Sequence, residues 1–131
     1  TPVNEHFRQL AAQGVTMEDI CREPMLLREK GSGSKKCINA YFQQMGVEES
    51  RLTITARLND QESIKNLVAG GLGVSIISEK AAEDARDAGR LLTFALPGDG
   101  AQRRLYAACR RGAPVNRQTR QFLDFVIGFY Q

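Results

Sequence analysis

Residues 24–46 read PMLLREKGSGSKKCINAYFQQMG. Pro24 opens an apolar run, Met25-Leu26-Leu27, whose length and lack of alternation predict a buried strand. A glycine-serine turn follows, Gly31-Ser32-Gly33-Ser34. Beyond it, Cys37, Ile38, Tyr41, Phe42 and Met45 recur at helical spacing, and Gly46 stops the helix. A strand, a glycine turn and a helix in this order form the first half of a βαβ unit. That geometry builds a small-molecule cleft beyond the strand's carboxyl end rather than a catalytic centre.

The pattern repeats downstream. Residues 52–58 (LTITARL) alternate strictly, with Leu52, Ile54, Ala56 and Leu58 expected on one side of a strand. Asn59 or Asp60 then caps a helix whose inner face is Ile64, Leu67 and Val68, ended by Gly70-Gly71. Leu72–Ile77 is another β-rich run. Upstream, residues 4–13 predict a short helix, and Thr16 caps a second at Met17–Cys21 with Glu18 and Asp19 in its first turn. Downstream, Ser78 caps a helix at 79–85, residues 91–96 and 103–109 read as strands, and Asn116 caps a last helix. That helix places Phe122, Leu123, Val126, Ile127 and Tyr130 inside. The order βαβαβ, then two closely linked strands, predicts an open α/β sheet flanked by helices. It is mostly parallel, with at least one antiparallel member.

The 131 residues suffice for one domain with a core. A formal net charge of +3 does not by itself argue for nucleic-acid binding. Lys35-Lys36, Arg103-Arg104 and Arg110-Arg111 read as solvated surface. Cys21, Cys37 and Cys109 are widely spaced and odd in number, so free thiols are expected, with Cys37 in the core. No metal-ligand spacing, signal peptide or membrane-spanning run is present in the sequence, and no cofactor is implied. The chain opens on Thr1-Pro2 rather than Met, which reads as a fragment.

Catalysis has little support. His6, the single histidine, has no catalytic spacing, and no serine sits in a GxSxG elbow. No catalytic residue is assigned. Binding has more. In Gly31, Ser32, Gly33 and Ser34 the glycines allow close backbone approach, and the helix start supplies free N–H groups. Lys30, Lys35 and Lys36 add positive potential. Asn59, Asp60 and Gln61 offer polar groups at a second helix start. Each turn fits a ligand contact and a bare helix cap equally. Arg28 and Arg57, near the ends of their strands, have the chemistry to pair with a carboxylate, though single arginines also serve as surface residues.

Four stretches in this order resemble the C-terminal part of a LysR-type transcriptional regulator. They are MEDICREPMLLREKGSGS, NDQESIKNLVAGGLGVSIIS, GRLLTFALPGDGAQRRLYAACRRG and NRQTRQFLDFVIGFY. The resemblance implies an effector-binding domain of the type 2 periplasmic-binding-protein kind, with its first lobe largely missing. It implies that residues 1–13 lie near the lobe crossover, that 14–102 form the second lobe, and that 103–131 return to the first lobe. The turn Gly31–Ser34, the turn Asn59–Gln61, Arg28 and Ile77 would then face the effector, a small organic anion. It further implies a cytoplasmic homodimer or tetramer that reaches DNA only through a head absent from this chain. The apolar side of the last helix, with Phe122, Phe125 and Phe129, would be exposed. The alternative is a free-standing periplasmic-type solute-binding protein.

Overall fold

The computed structural model describes residues 1–102, 106, 108, 110, 112 and 115–130. The helices are α1 (Glu5–Gln13), α2 (Met17–Arg22), α3 (Gly33–Gln44), α4 (Gln61–Ala69), α5 (Glu79–Asp87) and α6 (Arg117–Tyr130). The strands are β1 (Pro24–Arg28) and β2 (Thr53–Leu58), and a short 3-10 helix at Glu49–Arg51 precedes β2.

β1 and β2 pair in parallel, and Val74 joins the other edge of β1 through a parallel bridge to Met25. The order across the sheet is therefore β2, β1, then the run at 72–77. Alternate residues of β1 point to opposite faces. Met25 and Leu27 pack with Ile38, Tyr41 and Phe42 of α3, while Leu26 packs with Ile64 and Val68 of α4 and Ala85 of α5. Helices on both faces and a parallel sheet give the doubly wound α/β arrangement that the sequence predicts.

The helix starts follow the sequence closely, except that Ser78 stands at the cap position of α5 without a side-chain bond to the helix. Asn4, Thr16, Ser32, Asp60 and Asn116 each accept from a backbone N–H three residues on. Asp60, not Asn59, is the cap of α4. Ser32 is the cap of α3, so Gly33 and Ser34 already belong to the helix.

Four expectations are corrected. First, β2 is not one-sided. A bulge lies where Met25 pairs with Ile54 but Leu26 pairs with Ala56. One extra residue flips the alternation, so Leu52 and Ile54 join the α3 face while Ala56 and Leu58 join the α4 face. Second, the run at 72–77 is reduced to a single bridge. Leu26 N donates to Val74 O at 2.8 Å, and Val74 N to Pro24 O at 2.8 Å. The Ser75 hydroxyl then takes the Leu26 carbonyl at 2.6 Å, the acceptor a continuing ladder would use. Third, residues 91–96 form no strand. Leu92 exchanges both backbone bonds with Thr1, at 2.8 and 3.0 Å, and this single pair is not extended. Fourth, α6 does not bury the side that its periodicity predicts to lie inside; Phe122, Phe125 and Phe129 are exposed, as the resemblance implies. Phe122 is 64% and Ile127 52% exposed, and Leu123 and Val126 are half-buried. The described face of α6 is instead the open one, with Phe125 and Phe129 also exposed. The strand expected at 103–109 lies largely outside the described residues, as do Arg103, Arg104, Arg111 and Cys109 and the side chain of Tyr130.

Candidate functional site

The chain runs from β1 through α3 to β2 on one side, then through α4 across to the other side of β1. The connections thus diverge at β1, and a crevice opens beyond the carboxyl ends of strands at such a point. Three short segments form this rim. Arg28 to Ser34 leave β1, Asn59 to Gln61 leave β2, and Ile77-Ser78 leave the third run. The backbone ties the first two together, because Glu29 N donates to Leu58 O at 3.0 Å.

The first segment turns at Gly31, whose φ of +96° disfavours any residue with a Cβ. Ser32 Oγ accepts from Lys35 N at 3.0 Å, so its side chain serves the helix. Gly33 and Ser34 lie in the first turn of α3, at the positive end of the helix. In the second segment Asp60 Oδ2 accepts from Ser63 N and Ser63 Oγ, each at 2.7 Å. These bonds, the Ser63 hydroxyl first, hold the Asp60 carboxyl below its ordinary value. Asn59 is exposed, and Gln61 opens α4. Ile77 packs against the α4-side core and lines a cavity of about 390 Å³ between the third run, α1 and residues 91–101. The two glycine and amide turns do not line that cavity. All nine candidate residues fall on these three segments, and Ile77 also lines the cavity behind them.

The electrostatics carry more than the sequence suggests. Lys35, read as surface, is buried, with its ammonium 3.0 Å from Glu49 Oε2. Arg57 Nη2 pairs with Glu49 Oε1. The Lys35 hydrogen bond, and then that of Arg57, hold the Glu49 carboxyl below the usual range. Glu49 lies in the 3-10 helix, far from either turn in sequence, and only the fold brings it there. A second buried cation, Lys65 of α4, lies 2.7 Å from Glu62 and 2.8 Å from Asp84, joining α4 to α5.

Among the described residues, two buried side-chain nitrogens have no hydrogen-bond partner: Arg28 Nε and Arg57 Nη1. Both belong to arginines at the carboxyl ends of β1 and β2. They sit on opposite faces, Arg28 opposite Leu58 and Arg57 opposite Leu27 in the register. A buried donor without an acceptor costs about 1–3 kcal/mol.

Cys37 is half-buried rather than in the core, and its thiol donates to Gln102 O at 3.4 Å. Cys21 is buried, and both are free thiols. Among the described residues no cluster of His, Cys, Asp or Glu is arranged to hold a metal ion, and no helix is long and apolar enough to cross a membrane.

The family described as the LysR substrate binding domain matches residues 4–130. An uncharacterized HTH-type transcriptional regulator, YeiE of Escherichia coli K12, is 31% identical over 116 residues, covering 88% of this chain and 39% of that protein. The RuBisCO operon transcriptional regulator of Acidithiobacillus ferrooxidans is 29% identical, covering 79% of this chain and 32% of its own length. The HTH-type transcriptional activator CmpR of Synechocystis is 25% identical, covering 86% and 36%. The chain thus spans under two fifths of the length of these relatives, which carry the names of regulators and not of enzymes. With a doubly wound parallel sheet and a family match over nearly its whole length, the chain belongs to the LysR substrate-binding domain family.

Proposed function

We propose that this domain is the effector-sensing part of a LysR-type transcriptional regulator, and that its rim takes a small organic anion. The observation that carries this reading is the pair of unpartnered buried nitrogens, Arg28 Nε and Arg57 Nη1, at the ends of adjacent strands. The two lie on opposite faces of the sheet, so a small anion offers its acceptor to one of them, and guanidinium groups bind carboxylates with charge-assisted bonds. The first turn of α3 adds backbone N–H groups and the positive end of a helix dipole. In this reading residues 14–102 form the second lobe of a two-lobed domain, and 103–131 return to the first. The effector binds between the lobes and shifts a closed–open equilibrium. A homodimer or tetramer of the longer protein passes that shift to a separate DNA-binding head in the cytoplasm.

The test uses the longer regulator with Ser34→Ala and Asn59→Ala, residues that do not cap their helices. The expected outcome is a loss of effector-dependent transcription of about tenfold in each, with operator affinity unchanged. An undiminished response in both variants would remove the two turns from the site. Identification of the effector starts from thermal shifts with a panel of monocarboxylates, dicarboxylates and inorganic phosphate. A ligand at a hundred times its Kd adds about 2.7 kcal/mol of stability, and Arg28→Gln should abolish the shift.

A further inference from the structure

The Glu49 carboxylate pairs with a residue flanking each of the first two rim segments. Its Oε2 holds the Lys35 ammonium at 3.0 Å, and Lys35 sits in the first turn of α3, one residue beyond Ser34. Its Oε1 holds Arg57, two residues before Asn59 at the end of β2. Lys35 is only 5% exposed along its side chain, so its charge needs a fixed counter-charge. Glu49 is 44% exposed and comes from the 3-10 helix, an element that carries no rim residue. A residue that served Lys35 alone would need one oxygen. Here both oxygens are engaged, each on a different element.

We propose that Glu49 is a positioning residue that fixes the two rim turns relative to one another, one carboxylate oxygen on each. Its functional meaning rests on the effector-site reading above, but the clamp itself is a property of the domain without effector. Loss of the clamp frees the Arg57 guanidinium to swing and leaves the Lys35 ammonium buried without its counter-charge. The turn leaving β1 and the turn leaving β2 then fluctuate independently, and a ligand spanning them has to order both.

Amide hydrogen exchange on the effector-free protein tests this. The reporters are Glu29, Lys35 and Lys36 on the first turn and Ser63 and Ile64 on the second, all hydrogen-bonded in the native fold. Leu26 and Val74, bonded across the sheet, are the reference. Glu49→Gln keeps the shape and removes the charge. It should speed exchange about tenfold at both sets of reporters and leave the reference within about twofold. Glu49→Asp, which keeps the charge, should restore most of the protection. Arg57→Gln cuts one arm only and provides the same reading if Glu49→Gln does not fold. Unchanged exchange, acceleration at one turn alone, or equal acceleration at the reference amides would each overturn the proposal. Because no effector is present, such a failure would leave the effector-site reading standing. Local acceleration together with a full response in the Ser34 and Asn59 variants would keep the clamp and remove that reading.

Discussion

Gly73 shows how much of the fold hangs on a single missing side chain. Its φ is +152°, and a Cβ built on it would overlap the carbonyl oxygen of Pro24. That carbonyl accepts from Val74 N, one half of the pairing that joins the third run to β1. Gly73→Ala should therefore cost about 3 kcal/mol or more, because backbone must move and the bridge opens. Gly31 provides the contrast. Its φ is +96°, but a Cβ there meets nothing within 4 Å. Gly31→Ala should cost about 1 kcal/mol, the conformational penalty alone. Urea midpoints of the two variants measure the difference, and equal midpoints would contradict the steric account. Lys35 makes the complementary point about charge. Two adjacent lysines read as solvated dressing, and the sequence holds no sign that one of them is buried. The signal is Glu49, fourteen residues away, and only the fold brings the two together.

The helix starts are the most legible elements, because a cap is local. Thr16 and Asp19 make a reciprocal capping box on α2, and Asp60 caps α4. Both carboxyls lie below their ordinary values, Asp19 through the Thr16 hydroxyl first and Asp60 through that of Ser63 first. The sign of the pH dependence follows. A carboxyl whose value is lowered by folding contributes stability that is fully present above its unfolded value, near pH 4, and is lost as pH falls through the folded value. The urea midpoint should therefore fall below about pH 4. Asp60→Asn keeps a capping oxygen and removes the titration, so its acid limb should be shallower than that of the parent. Parallel acid limbs would show that Asp60 does not contribute. The strands are less legible because their neighbours decide them. LTITARL alternates strictly, yet a bulge sends its two halves to opposite faces. The run at 72–77 has the right composition, but a serine hydroxyl occupies the acceptor that a longer ladder would need. In both places the deciding partner is β1, roughly thirty to fifty residues upstream, and local periodicity carries no record of it.

At the scale of the whole molecule, the family and the doubly wound order follow from punctuation that is spread along the chain, whereas the periodicity of α6 places inside the side chains that the fold leaves open. Phe122, Phe125, Ile127 and Phe129 are 52–68% exposed on one fourteen-residue helix. Phe125 and Phe129 stack with ring centres 6.3 Å apart, and the Lys80 ammonium lies 4.9 Å from the Phe129 ring. Exposed apolar side chains gathered on one helix bind other apolar surfaces. The isolated domain should therefore bind an apolar dye in its native state, and its mass by light scattering should rise with concentration. Phe122→Ser with Phe125→Ser should reduce both effects. The urea midpoint should move little, within about 0.5 kcal/mol, because exposed side chains contribute little to the core. The double variant separates this cause from loose packing elsewhere. Dye binding that persists unchanged would place the apolar surface in the cavity between the third run and residues 91–101, which the half-buried Leu92, Phe94 and Leu96 line. Dye binding that disappears together with the concentration dependence would assign both to α6.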